Sequence, residues 1–341
     1  MRRFILLSVI FGMVVVISCD FQRDAIGEPD AMIVIADSVD WEQTQSLIQE
    51  TFAPEVPTPR PEPWYDIQYV TPDKFTNFMI YRNIIILSLL REGSPSMRFI
   101  NRRFSSSLVE KMQAGNLPVA KKEDPWRDNQ MLLILTATSR EQLATVLQER
   151  SEELRGYFDE MFIQRQREYL YGRYEQKGMQ RRLASTYDWT IRVPRDWIII
   201  HERPEENFFW LGRHLPIRWM SVYWEEFSNP VVLDSALAVD LRRTVGREQY
   251  GDVRVNTEYL EAAVTTLNGR RAIKIRGLWE HREEAKGGPF IGYAYYDPEM
   301  ERLYYLDAQV FAPDMKKLVF LRRLDVILST FRSGPGLEDT I

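Results

Sequence analysis

The sequence predicts an α+β protein built from two domains with a long helix between them. Three observations carry that expectation. Apolar runs of strand length alternate with helical patterns over residues 31–138. A helical pattern then covers residues 139–183. From Tyr187 the apolar period falls to two, broken by one helical stretch and closed by another. With 341 residues, 45% of them hydrophobic and 12% aromatic, the chain has enough apolar side chains for two cores.

The first eighteen residues stand apart. Arg2 and Arg3 follow the initiating methionine, and Phe4 to Ser18 carries no charge. A basic start and a short apolar run have the form of a bacterial export signal. The run is shorter than the ~20 residues a membrane-spanning helix needs, and Asp20 closes it. Val16, Ile17, Ser18 and Cys19 resemble the lipobox of bacterial lipoproteins. The resemblance implies a signal peptide over 1–18, cleavage before Cys19, a diacylglycerol on its thiol and a fatty acid such as palmitate on the new amine. It places the protein in the bacterial cell envelope, on the membrane through its N-terminal lipid. Asp20 sits where some bacteria read a sorting signal, by rules that differ between lineages, so inner and outer membrane stay open. The bland alternative is a leftover cysteine behind an ordinary secretory signal. Cys19 is the one cysteine, so no internal disulfide forms. Removing residues 1–18 takes away two arginines and moves the net charge from −5 to −7. An acidic chain argues against a nucleic-acid partner.

Residues 19–30 are polar and read as a tether. "AMIVIA" (31–36) is a strand, and Asp37 or Ser38 caps a helix with Trp41, Thr44, Leu47, Ile48 and Phe52 on one face. "PEVPTPRPEP" (54–63) is a stiff extended loop, either a spacer or a polyproline ligand. Strands fit 64–70, 83–90 and 130–137, and a helix fits 95–113. The order strand–helix–strand–strand–helix–strand is that of a ferredoxin-like (βαββαβ) domain over 31–138.

In the connecting helix, 139–183, Leu143, Leu147, Leu154, Phe158, Met161 and Phe162 mark a buried face, and Ser139 with Gln142 offers a capping box. Its end, "QRQREYLYGRYEQKGMQRR" (164–182), holds six basic and two acidic residues. Arg165, Arg167, Tyr169, Arg173, Tyr174 and Lys177 form a candidate contact surface for an anionic partner: phospholipid headgroups, a glycan polymer or another envelope protein. The competing reading is a solvated linker whose tyrosines lean on the second domain.

Residues 184–333 alternate through "YDWTIRV", "WIII", "FFWLG", "IRWMSVYW", "FIGYAYY" and "LYYLDAQVF", with a helix at 234–246 and a last one from Asp314 that buries Met315, Leu318, Leu321, Leu324, Leu328 and Phe331. Asn268-Gly269 marks a tight hairpin, with Ile273, Ile275 and Trp279 on one face and Lys274 and Arg276 on the other. Residues 334–341 are a tail. "VPRDW" (193–197), the antiparallel meander and "LDVILSTFRS" (324–333) resemble the PsbP/Mog1-like group, which implies a mainly antiparallel α/β/α sandwich and no particular site. The lipobox, the element order and the two-part build together resemble the lipoprotein family named domain of unknown function 4837, which brings no activity with it.

No phosphate loop, no G-x-S-x-G elbow, no H-E-x-x-H and no calcium loop occurs. No cofactor is expected. The weak metal candidates are His201 and His281, each followed or preceded by a carboxylate, Glu202 or Glu280; the alternative is two solvated loop tips. Six of the nine tryptophans fall in the second half, a surplus that can meet a helix, a partner or a sugar ring. The expectation is a membrane-anchored, non-catalytic binding or scaffold protein. A glycan or small-molecule pocket in the C-terminal domain is the first alternative, and a metal-assisted hydrolase using His201 and His281 the second.

Overall fold

The computed structural model describes residues 23–227 and 231–341. The signal peptide expected over residues 1–18 and the expected lipidation site, Cys19, lie outside the described residues. No helix among the described residues is long and apolar enough to cross a membrane.

The first domain contains β1 (Ala31–Ile35), α1 (Ser38–Phe52), β2 (Asp66–Val70), α2 (Phe75–Phe78), β3 (Asn83–Ser88), α3 (Pro95–Arg103), α4 (Ser106–Gln113), β4 (Val119–Glu123) and β5 (Met131–Thr136), and leads into α5 (Arg140–Tyr171). Its sheet has the order β2-β1-β3-β5-β4. All pairs are parallel except β4 with β5. This replaces the ferredoxin-like arrangement expected from element order. The segment after β2 is a crossover through a 3-10 turn and α2 rather than a hairpin. Every residue of β3 and β5 is buried, as central parallel strands are when helices cover both faces. Val34, Ile85 and Leu133 pack toward α1 and α5, while Ile33, Ile84 and Leu132 pack toward α2, α3 and α4. Residues 23–30, expected as a tether, lie against this domain: Ala25 is buried, and Ile26 donates its amide to the Ile80 carbonyl.

The second domain contains α6 (Lys177–Tyr187), β6 (Ile198–Arg203), β7 (Phe208–Arg213), β8 (Ile217–Glu226), α7 (Ser235–Glu248), β9 (Val253–Leu267), β10 (Arg270–His281), β11 (Gly287–Asp297), β12 (Arg302–Phe311) and α8 (Leu318–Leu328). Its antiparallel sheet has the order β9-β10-β11-β12-β8-β7-β6. Asn268 and Gly269, at φ 51° and 78°, make the hairpin between β9 and β10; positive φ at both central positions is the type I′ signature. Ile273, Ile275 and Trp279 pack under α7, and the opposite face packs against α6 and α8. The aromatic surplus therefore meets two helical layers. The last helix starts later than expected, and Met315 is half exposed.

The connecting helix is two helices. Gly172 ends α5, and the amide of Gln176 donates to the Val193 carbonyl while Glu175 bridges Pro194. Backbone pairing with 193–194 pulls the chain out of the helix. α5 itself serves both cores: Leu154, Phe158 and Met161 belong to the first, Leu170 and Tyr171 to the second.

Candidate interaction surface at the domain seam

The end of α5 sorts the predicted contact residues into two groups. Arg165 is not a contact residue. It is buried, and its guanidinium donates to Asn129 O at 2.7 Å, Asn83 Oδ1 at 2.8 Å and Arg82 O at 3.0 Å. Burial, and then the nearby Arg82, push it down to about 10. It ties α5 to the start of β3. The helix period places Arg165 on the packed side, three residues after buried Phe162. Arg167, Tyr169, Arg173, Tyr174 and Lys177 are exposed.

Around the two tyrosines the second domain adds arginines that lie far away in sequence. The β7–β8 hairpin sets Arg213 directly opposite Arg218. Like charges in that position repel. Arg323 of α8 joins them, lying 4.9 Å from the Tyr169 ring centroid, and both Arg218 and Arg323 stack on Phe320, at 5.0 and 5.8 Å. Arg195 lies 4.4 Å from the Tyr174 ring. Burial, with Arg213 and Arg323 beside it, pushes Arg218 down to about 10; burial is also the main cause lowering Arg323. Among the described residues, the one ion pair made by Arg173, Arg195, Arg213, Arg218 and Arg323 is Arg213 with Asp196. Tyr169, Arg173, Tyr174, Arg195 and Arg213 wall a groove of about 400 Å³. A second groove of about 670 Å³ shares Tyr169 and Arg173, and is lined on its far side by residues 24–29.

The histidine pair does not assemble. His201 is on β6, the last strand of the sheet, and His281 ends β10, five strands away. At ~4.8 Å per strand the separation is about 24 Å, beyond any shared metal shell. Glu202 is taken by Arg182 and Tyr187, and the ring nitrogen Nδ1 of His281 accepts the amides of Glu283 and Glu284. No group of three possible metal ligands occurs among the described residues.

Two further polar sites are closed. In the first domain the strand order reverses at β1, between β2 and β3, where sheets of this kind hold ligands. There Asp40 accepts the Leu89 amide and Arg91 Nε, and Asp37 accepts the Ser96 amide, so the chain fills its own crevice. Under α7, Arg242 and Asp307 are fully buried together at 3.3 Å, with the Tyr250 and Tyr305 hydroxyls donating to Asp307 at 3.0 and 3.1 Å. Burial holds the Asp307 carboxyl above its usual range. The Arg242–Asp307 site does not open to solvent, while the first site is capped by Arg91, whose side chain is partly exposed.

The seam between the domains also coincides with a boundary between two protein families. Residues 25–171 match the model of a domain of unknown function, DUF8532, and residues 176–330 match that of the domain of unknown function DUF4837. The second domain is thus similar to the DUF4837 family, and the first to DUF8532. The DUF4837 match begins just past the break that separates α5 from α6. No curated protein matches the chain at a significant level. Among solved structures, the Ran-binding protein Mog1p of Saccharomyces cerevisiae is 13% identical, covering 45% of this chain and 95% of its own, at a TM-score of 0.32. LpqN of Mycobacterium tuberculosis, described as involved in cell envelope biogenesis, is 15% identical over 43% of this chain and 83% of its own, at a TM-score of 0.28. No window of the second domain's sequence announces these grooves, because Arg213 reaches the first through a hairpin and Arg323 the second through a packed helix.

Proposed function

We propose that the protein is a lipid-anchored lipoprotein of the bacterial cell envelope, and that it is a non-catalytic binding or scaffold protein. The observation that carries the reading is the tyrosine and arginine groove at the seam. Its cations outnumber their carboxylate partners, in a chain whose formal charge is −5, so the positive charge is local. An exposed arginine cluster that internal carboxylates leave unbalanced attracts an anionic surface and steers it at a distance. The lipobox at Val16–Cys19 supplies the attachment. A glycan or small-molecule pocket in the second domain is the weaker reading, since its tryptophans pack beneath helices.

Two measurements test this. Metabolic labelling with a fatty-acid probe should mark the wild type and not Cys19→Ala; equal labelling of both removes the anchor. Photocrosslinking from Tyr174 in intact membranes should give adducts that weaken with salt and disappear in the Arg167→Glu, Arg173→Glu, Lys177→Glu variant. Unchanged adducts in that variant would reduce the end of α5 to a linker.

A further inference from the structure

The groove's chemistry and its place in the chain both specify what fills it. Arg213 and Arg218 face each other across a hairpin, and Arg218 keeps only 4% exposure. Its sole hydrogen bond among the described residues goes from Nε to the Pro216 carbonyl. Arg218 lies outside the groove lining and adds positive charge beside Arg213. Of the cations that do line it, Arg173 and Arg195 have no ion pair among the described residues and Arg213 has only Asp196, so an anion is needed to balance them. Guanidinium groups fit phosphate oxygens as planar forks. The rim is also distinctive. Tyr169 and Tyr174 are 61% and 58% exposed, each with an arginine on its ring. Amphipathic rings beside arginines are the composition that settles at a membrane–water interface. Position adds a separate argument. Residues 24–29 line the adjoining groove, which shares Tyr169 and Arg173. Asp24 stands five residues after Cys19, at most ~18 Å of extended chain. A lipid on Cys19 therefore holds this face near the bilayer.

We infer that the groove between Tyr169, Arg173, Arg195 and Arg213 seats the phosphate of an anionic phospholipid headgroup, making a second membrane contact beside the lipid anchor. The inference rests on the reading of this groove as the protein's contact surface. It assigns the two attachments different work. The acyl chains fix the protein to the bilayer, and the groove fixes which face it turns toward it. One carboxylate, Asp196, lines this groove and pairs with Arg213, whereas three, Asp24, Glu28 and Glu168, line the adjoining one, so the phosphate site lies on the Arg173 and Arg195 side.

The test uses residues 20–341, which contain every described element of both domains and carry no acyl chain. Cosedimentation with vesicles of phosphatidylglycerol and phosphatidylcholine at low salt should show binding. Pure phosphatidylcholine vesicles should not bind, and raised salt should release the protein. Arg195→Gln, at a residue with no ion pair, should weaken binding about five-fold, and each further arginine removed should weaken it by a similar factor. Circular dichroism of the variants confirms that they fold. Absence of binding to anionic vesicles, or equal binding by wild type and Arg195→Gln, overturns the inference. Tight binding of glycerol 3-phosphate in solution without vesicle binding overturns it in favour of a soluble phosphate ester. Because the assay contains no acylated cysteine, its outcome is independent of whether Cys19 labels in cells.

Discussion

Glu62 of the proline-rich loop closes on Leu318, the first residue of α8. Its carboxylate accepts the Leu318 amide at 2.8 Å and the Lys317 amide at 2.8 and 2.9 Å. The loop thus carries an anion from the first domain to the positive end of a helix in the second. Prolines keep it extended, and a two-residue strand pair, Glu55–Val56 with Glu62–Pro63, fixes its tip. The expected rigid spacer between helix and strand is therefore also a contact between the domains.

Removing that carboxylate should loosen the seam. Glu62→Ala leaves two buried amides without acceptors and should cost about 2–3 kcal/mol, while Glu62→Gln, which keeps one acceptor oxygen, should cost about 1 kcal/mol. Urea denaturation measures both. Hydrogen exchange at Lys317 and Leu318 should accelerate in step. Wild-type stability in Glu62→Ala would show that the contact contributes nothing.

Arg322 is the other half of the seam. It is buried, pairs with Asp159 at 2.7 Å, and lies 3.8 Å from the Phe162 ring and 4.3 Å from that of Trp64. Asp159 also accepts the Trp64 indole and the Tyr65 hydroxyl. Arg322→Leu should cost about 2–3 kcal/mol, because it strands this carboxylate beside apolar rings. In the Arg322→Leu, Asp159→Asn double variant much of that loss should return. Strictly additive losses in the double-mutant cycle would refute the coupling.

These contacts show why parts of the molecule were legible in its sequence and others were not. The run "NIIILS" reads directly as a strand because all six positions are buried. The same fact implies a parallel neighbourhood, which element order alone conceals. Val119–Glu123 escaped because it is an edge strand whose last three residues, Lys121 to Glu123, are exposed, leaving no apolar alternation. The Asn268-Gly269 hairpin and the face of Ile273 and Ile275 were plain, since turn chemistry and period two are local signals. Arg165 and Arg173 look alike in a basic segment, and only the packing of α5 against β3 separates them. The groove combines the end of α5 with Arg195 and with Arg213 of the β7–β8 hairpin, so no short window of sequence contains it.

Glu175 gives the seam a pH dependence. Arg192 grips its carboxylate with two bonds, at 2.6 and 2.7 Å, and stacks 3.8 Å from the Tyr171 ring. The Arg192 fork holds the Glu175 carboxyl below the usual carboxylate range. A folded value below the unfolded one adds stability at pH above about 4.3, and that stability is lost as pH falls through the folded value. Glu175→Gln should therefore be less stable than wild type at pH 7, and the gap should shrink as the pH drops below 4. Urea midpoints at pH 7, 4 and 3 measure it. A gap that does not change with pH would assign the effect to packing.

Two glycines in helices should respond oppositely to the same substitution. Gly156 sits inside α5, and a Cβ there would meet nothing within 4 Å. Gly156→Ala should therefore raise stability by about 0.5–1 kcal/mol, by restricting the unfolded chain and favouring the helix. Gly246 is buried in α7, where a Cβ would overlap the Val253 carbonyl oxygen and come within 2.8 Å of Arg242 Nη1. Backbone on one side and a fully buried arginine on the other leave no room to give. Gly246→Ala should push α7 off the start of β9 and disturb the Arg242–Asp307 pair, at a cost of about 1–3 kcal/mol. Thermal denaturation of the two variants decides between this account and a purely local helix propensity, which predicts that both are stabilised.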